Sequence, residues 1–534
     1  MYCDKASVNI LCALMVRHGV RDVVVCPGSR NAVLAHNFGE LSRRGVLRVW
    51  PVTDERCAAF VAIGIYLATR TPAAVCVTSG SALLNTLPAV AEAYYRRAAL
   101  LIISADRPPE AIGHLWGQTL PQTGALQPYT RTWQLPEGNP VAAAREADAA
   151  LCALRSEGGR PVHINVPLTE PLFSFTTASL PSFSDITAPA PPAVNPIPPV
   201  VMAMVEAAAR PAIFVGHMDF PPETLLEEVC RRGRLRVIGE GIGTAVGERV
   251  TAEMFGDEAC RPDLLVHIGG TVVRKETRLA FQHLGAPVVR IEESADAAPD
   301  TFGHLAALVR GNTSAALRQL AALAGGSAVS SQSVANEANM PRHAVPTTLS
   351  HIPVPPSPAP SAFAQVAHEV VCLLAHSTRP YALHAGNSTA VRLLADIGQP
   401  RVHFFCNRGV NGIEGSLSVA AGHALGGNSL VICLLGDLSF FYDSNALWNE
   451  SLDGKLRVLV MNDGGGAIFN RLPGLHDSQA QALIAAHHSA TAEGVCCSYN
   501  ARYLAARTPR EAATRLPEFL FGDSARPVVL ECFL

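Results

Sequence analysis

Short apolar runs alternate with Ala- and Leu-rich stretches along almost the whole chain. The runs at 23–26, 74–78, 100–104 and 162–166 are strand-length, and polar, Gly or Pro turns bound them. So are the runs at 212–215, 236–238, 264–268 and 288–291, and those at 381–384, 402–405, 430–435, 456–461 and 528–531. A continuous apolar run of this length predicts a strand buried on both faces, as in a parallel sheet. The stretches between them, such as 57–68, read as helices, and strand–helix alternation predicts parallel sheets with helices on both faces. Two small-residue, Pro-rich stretches, 179–200 and 325–361, interrupt the pattern as linkers do. The expectation is an α/β protein of three domains, each a doubly wound, mostly parallel sheet flanked by helices. The domains are 1–180, 185–325 and 361–534, with a Pro/Ser-rich linker at 326–360.

Composition narrows the class. At 534 residues the chain exceeds what one core serves. A net charge of −3 gives no basic field for nucleic acid. No apolar run reaches the roughly 18–20 residues a membrane span needs, and residues 1–5 lack a signal-peptide layout. The 14 cysteines are scattered, without Cys-x-x-Cys spacing, as buried reduced thiols of a cytoplasmic protein would be.

In open α/β sheets ligands bind at the carboxyl ends of strands. There the chain carries Gly436-Asp437-Leu438-Ser439 after one strand and Asn462-Asp463-Gly464-Gly465-Gly466 after the next. Two hard oxygen ligands at one sheet edge, beside a glycine turn, suit Mg²⁺ carrying a diphosphate. The same pattern holds the metal–diphosphate of thiamine diphosphate, although Asp-capped βα turns are also common in any such sheet. Glu55, in Thr53-Asp54-Glu55-Arg56, precedes the helical stretch 57–68. Alone it reads as a charge favoured by the helix dipole. Beside a thiamine diphosphate site it supplies the carboxylate that protonates the aminopyrimidine and so promotes the ylid.

The motifs Pro27-Gly28-Ser29-Arg30, Asp54-Glu55-Arg56, Thr78-Ser79-Gly80, Ala105-Asp106-Arg107-Pro108 and Gly117-Gln118 occur in that order. Gly386-Asn387-Ser388, Asn407-Arg408-Gly409, Gly412-Ile413-Glu414-Gly415 and Gly436-Asp437-Leu438-Ser439 follow. This series resembles the 2-succinyl-5-enolpyruvyl-6-hydroxy-3-cyclohexene-1-carboxylate synthase family of menaquinone biosynthesis, densely in the first and last thirds and thinly in the middle. The resemblance implies the thiamine-diphosphate-enzyme architecture. It also implies decarboxylation of 2-oxoglutarate and 1,4-addition of the succinyl carbanion equivalent to isochorismate. Glu55 would activate the aminopyrimidine. Asp437, Asp463 and the Gly465 carbonyl would bind Mg²⁺ or Mn²⁺. Ile413 would hold the cofactor bent, and Gly386, Asn387 and Ser439 would lie near the diphosphate. Phe469 and Leu472 would line the substrate cavity. A homodimer or homotetramer with active sites shared between chains is implied. Three departures stand out: Asp463 where many members have Asn, Ala467 where Gly or Gln is common, and Arg274-Lys275 in reversed order.

The two substrates bring four carboxylates, which call for guanidinium forks more than ammonium points. Arg30, Arg107, Arg392 and Arg408 lie at predicted strand ends or in Gly/Asn/Ser turns, and Arg274 and Lys275 follow a middle-domain strand. Ser29, Gln118 and Ser388 are neutral donors that would orient isochorismate. Arg392, Arg408 and Gln118 join Glu55 as the catalytic set. His384 reads as a structural histidine; His18, His423, His487 and His488 are assigned no role. The middle domain's Gly239-Glu240-Gly241-Ile242-Gly243 lacks the dinucleotide fingerprint, so that domain reads as a Rossmann-like spacer. The alternative is another thiamine-dependent 2-oxo-acid enzyme of the acetohydroxyacid synthase type.

Overall fold

Three parallel six-stranded sheets organise the chain. The computed structural model describes residues 1–155, 159–183, 195–251, 253–294, 298–323, 361–397, 401–466, 468–469 and 478–534. The expected linker at 326–360, Ala467 and Leu472 lie outside them. The first sheet comprises β1 (Asp22–Val25), β2 (Arg48–Pro51), β3 (Ala73–Val77), β4 (Leu100–Asp106), β5 (Arg131–Gln134) and β6 (Val162–Pro167). The second comprises β7 (Pro211–Val215), β8 (Arg236–Gly239), β9 (Glu248–Arg249), β10 (Leu264–Ile268), β11 (Val288–Glu292) and β12 (Leu305–Arg310). The third comprises β13 (Tyr381–Ala385), β14 (Phe405–Cys406), β15 (Leu430–Gly436), β16 (Leu456–Met461), β17 (Arg502–Ala506) and β18 (Val528–Cys532).

The expected α/β class holds, and the strand orders refine it. The first sheet runs β2-β1-β3-β4-β6-β5 and the third β14-β13-β15-β16-β18-β17. Numbered from their own first strands, these orders are identical. The second runs β12-β11-β10-β7-β8-β9, the dinucleotide-fold order read from its far edge. The first and third sheets belong to one compact unit, and the second sheet forms another with the described part of 395–403.

Within the first unit two helices carry the contact between its sheets' layers. The helix Glu55–Thr69 begins where Asp54 accepts the N–H of Arg56 at 2.9 Å and of Cys57 at 3.2 Å. Glu55 is therefore the first helical residue, not one ahead of the helix as the sequence suggested. Residues 57–65 of this helix are buried without a polar break, the mark of a helix covered on all sides. Its neighbour is the equally buried helix Ser416–Gly426. They meet backbone to backbone. A Cβ on Gly64 would stand 2.0 Å from the Val419 carbonyl oxygen, and one on Gly422 would stand 2.0 Å from that of Val61.

Candidate active site

In the first unit the sequence-predicted residues gather beyond the carboxyl ends of the strands. After β1 the chain turns through Gly28, whose Cα faces Thr78, and presents an exposed Ser29 and a buried Arg30. Arg30 is 5% exposed. It donates to the Leu168 carbonyl at 3.0 Å and pairs with Glu170 at 3.1 Å. Burial and the neighbouring Arg107 hold its guanidinium below the ordinary arginine range. The Nε atoms of Arg30 and Arg107, and the hydroxyls of Thr78 and Ser79, are buried without a hydrogen-bond partner among the described residues. Adjacent repelling cations and orphaned polar atoms are costly unless an anion with many acceptors completes them.

Gln118 adopts a left-handed backbone (φ 61°) and donates from Nε2 to the Ser79 carbonyl at 3.1 Å. Leu115, Ser388 and Asn411 share this rare geometry. A strained non-glycine backbone persists where its surroundings impose it, commonly at ligand sites. Glu55 is half-buried, accepts from Asn85 Nδ2 at 3.3 Å and has no ion pair among the described residues. Its flanks dock on the C-terminal part of the unit. Asn445 Nδ2 donates to Asp54 at 2.9 Å, and Arg56 donates to the Tyr442 carbonyl at 2.7 Å while covering the Tyr442 ring.

The turn after β14 is held from the first sheet's side. Glu92 accepts the backbone N–H groups of Gly409 and Val410, both at 2.9 Å, and Arg96 donates to Asn407 Oδ1 at 2.7 Å. Both lie on the helix Leu87–Arg96 at i and i+4. Both are buried. Asn387 commits its amide to the carbonyls of Asn407 and Gly412 and accepts from Arg408 at 3.3 Å. It braces Arg408 and the Ile413 turn, leaving its main chain for any diphosphate contact. Gly386 fits tightly on β15, where a Cβ would meet the Leu435 Cβ at 2.8 Å. Arg392 sits on the helix Thr389–Asp396, exposed, bonded back to the Ser388 carbonyl at 2.7 Å.

Asp437 opens the helix Asp437–Tyr442, which also carries buried Ser439. Asp437 is 2% exposed. Its oxygens accept the N–H of Leu438 at 2.6 Å and of Gly465 at 3.0 Å, so the glycine turn folds back onto it. No Lys or Arg pairs with it among the described residues; His488 lies beside it, Nε2 at 3.2 Å. A buried carboxylate so poorly neutralised fits a hard cation. Asp463 is exposed at the same turn, and Phe469 is half-buried against Gly466. His488 was assigned no role from the sequence; the structure places it beside Asp437. Its Nδ1 accepts the Ala490 N–H at 3.1 Å, while its Nε2 lies near Asp437 without a hydrogen-bond partner among the described residues. Glu55 and Asp437 share no hydrogen bond or ion pair.

Other histidines pair too. His384 and His423 hydrogen-bond at 3.0 Å, and His18 meets Asp148 at 2.7 Å with Cys152 nearby. For His18 and His423 the sequence offered no role because their partners are distant along the chain. In the second unit Lys275 is exposed, while Arg274 is already engaged by Glu240 at 3.2 Å, Asp396 at 3.0 Å and the Val250 carbonyl at 2.9 Å. That pairing is at odds with a cation kept open for substrate. The glycines after β8 serve chain packing, since a Cβ on Gly243 would stand 1.9 Å from the Gly216 carbonyl oxygen.

The chain is similar to known proteins over almost its whole length. Residues 7–128 match the family model described as thiamine pyrophosphate enzyme, N-terminal TPP binding domain. A 2-succinyl-5-enolpyruvyl-6-hydroxy-3-cyclohexene-1-carboxylate synthase from Bacteroides thetaiotaomicron is 35% identical over 562 residues, covering 100% of this chain and 96% of its own. Synthases of the same name from Phocaeicola vulgatus and Desulfotalea psychrophila are 33% and 32% identical, each across at least 96% of both chains.

Proposed function

We propose, because the chain belongs to the 2-succinyl-5-enolpyruvyl-6-hydroxy-3-cyclohexene-1-carboxylate synthase family, that it decarboxylates 2-oxoglutarate and adds the four-carbon remainder 1,4 to isochorismate. The observation that carries the substrate reading is the pairing of buried Arg30 with half-buried Arg107 at the strand ends, where the buried Nε atom of each lacks a partner among the described residues. Thiamine diphosphate, when bound, supplies the carbon that stabilises the developing carbanion. Glu55, without a counter-ion among the described residues, holds and returns the proton at the aminopyrimidine. Asp437, Asp463 and the Gly465 carbonyl would hold Mg²⁺ or Mn²⁺, and Ile413 offers an exposed apolar surface for the rings. Arg392 and Arg408 take the carboxylates of 2-oxoglutarate; Arg30, Arg107, Gln118, Ser29 and Ser388 orient isochorismate.

A second copy of the chain completes each site in this reading. Leu84, in the short helix Ser81–Asn85, and Leu115, Trp116, Val410 and Ile413, in turns around the site, are exposed large apolar residues, which supports burial against another chain. No described helix is long and apolar enough to cross a membrane, and a cytoplasmic location belongs to the same proposal.

The test supplies 2-oxoglutarate, isochorismate, thiamine diphosphate and Mg²⁺ and identifies the product by mass. Pyruvate lacks the distal carboxylate, and losing a hydrogen bond between charged groups costs about 1.5–3 kcal/mol, so pyruvate should be disfavoured by roughly ten- to a hundred-fold. Efficient turnover of pyruvate would overturn the reading and favour the acetohydroxyacid synthase type.

A further inference from the structure

Behind the Arg30–Arg107 pair lies a buried polar network that neither substrate nor cofactor need touch. Its centre is Gln122, 1% exposed, in the loop that also carries Gln118. Gln122 Oε1 accepts the Gly80 N–H at 2.8 Å. Its Nε2 donates to Asn165 Oδ1 at 2.8 Å, with Ser104 Oγ and the Ala105 carbonyl both at 3.2 Å. One side chain thus joins the turn after β3, the end of β4 and the middle of β6.

The network runs on to the site. Asn165 Nδ2 donates to Asp106 Oδ2 at 2.9 Å, and Asp106 Oδ1 accepts the backbone N–H of Arg107 at 2.8 Å. The Leu168 N–H bonds the Asp106 carbonyl, and the Leu168 carbonyl accepts from Arg30. Behind it, Ser104 Oγ donates to Asn165 Oδ1 at 2.8 Å and meets His163 Nε2 at 2.7 Å; Thr132 Oγ1 meets His163 Nδ1 at 3.0 Å. Burial pushes the His163 pKa down to about 3, so the ring is neutral and has one donor and one acceptor. The Gly80 N–H and the Ala105 carbonyl have fixed polarity, so the Gln122 amide between them has one permitted orientation.

We infer that Gln122 is a positioning residue that sets the Gln118 loop against the Ser79–Gly80 turn and Arg107, and so governs use of the acceptor substrate. The inference rests on the proposed division in which Arg30, Arg107 and Gln118 face isochorismate. A misplacement of about 1 Å can cost on the order of 100-fold when groups must converge on one ligand. Gln122 touches none of Glu55, Asp437 or Gly465, so the decarboxylating half of the reaction should not feel it.

The experiment uses the full-length protein with thiamine diphosphate and Mg²⁺. Gln122→Met removes the amide at similar volume. Gln122→Glu keeps an oxygen for Gly80 but turns a second oxygen on the Asn165 and Ala105 acceptors. The expected result is a KM for isochorismate raised about 10-fold or more, most in Gln122→Glu. Release of CO₂ from 2-oxoglutarate without isochorismate should stay within about 2-fold of wild type. If wild-type protein forms no adduct, the substrate reading fails first, and separately. If wild type turns over while both variants keep its isochorismate KM, or lose both half-reactions equally with the fold intact, positioning by Gln122 is wrong. Should both variants unfold, hydrogen exchange of residues 113–123 in substrate-free wild type decides. Protection before isochorismate is added supports pre-positioning, and protection only afterwards refutes it.

Discussion

Gly64→Ala tests the contact that joins the two sheet-bearing halves of the first unit. The added Cβ would stand 2.0 Å from the Val419 carbonyl oxygen and 2.7 Å from the His423 nitrogen. Carbon and carbonyl oxygen settle no closer than about 3.3 Å, so the helices must part by about 1 Å or more. Backbone lies on both sides, and no rotamer change relieves the clash. Residues 57–65 and 416–425 are buried along this seam. A gap of that size forfeits roughly a quarter to a half of each dispersion contact it opens. The cost should reach or exceed the top of the overpacking range, about 3 kcal/mol. Thermal unfolding with and without thiamine diphosphate and Mg²⁺ measures it, with turnover followed in parallel. Gly39→Ala is the control: it lies in the helix Ala32–Arg43 with nothing within 4 Å of the added carbon. That exchange should stabilise by about 0.5–1 kcal/mol. Wild-type melting and turnover in Gly64→Ala would refute the backbone contact.

Glu55→Gln should fold normally, since Glu55 makes one long contact, and lose about 10²–10⁴-fold in turnover. Proton exchange at cofactor C2 reads the loss, and a wild-type exchange rate would rule out the assigned role. Asp437→Ala should abolish Mg²⁺-dependent retention of cofactor and the thermal stabilisation that binding gives, both measurable by calorimetry; unchanged cofactor affinity would refute the metal role. Asp443, fully buried against Ser418 and Cys57, has its carboxyl pKa pushed up to about 6 by burial, despite the Ser418 hydrogen bonds that lower it. A folded-state pKa above the unfolded value favours the protonated form. Its contribution is therefore complete below about pH 4 and lost as pH rises through 6, by about 3 kcal/mol. Relative to Asp443→Asn, wild type should lose stability between pH 4 and 7; a flat difference in denaturation midpoints would contradict this.

The central strands were legible because each is an unbroken apolar run, and their ends located the site turns. The strands that the sequence did not reveal are β2, β5, β9, β12 and β17, all edge or near-edge members with exposed positions. β14, another edge, is shorter than the run at 402–405 suggested. An edge strand is half solvated, so polar residues such as those of Arg131–Gln134 erase the hydrophobic signal. The residues to which the sequence assigns chemistry could be singled out because they sit in local motifs. Their supports were not: Glu92, Arg96, Gln122 and His488 act through partners on other elements, and nothing in their local sequence marks those pairings.

The two buried helices also put Glu55 and Ile413 in corresponding positions although one lies in the first third and the other in the last. Each helix follows the second strand of its own sheet, β2 or β14, and the two sheets share one strand order. Their contact is reciprocal. Gly64 faces Val419 while Gly422 faces Val61, and each glycine lies three residues after the valine of its own helix. The matching sequences are Val61-Ala62-Ile63-Gly64 and Val419-Ala420-Ala421-Gly422. A local two-fold axis therefore relates the helices. Counting back six residues from each valine reaches Glu55 on one side and Ile413 on the other. The acidic and apolar groups assigned to opposite ends of the cofactor's task thus occupy equivalent places in two copies of one topology. If so, Gly422→Ala should cost as much as Gly64→Ala, and the double variant less than their sum, because both strain one seam. Unequal single costs, or full additivity, would mean that the two glycines are not related by that axis.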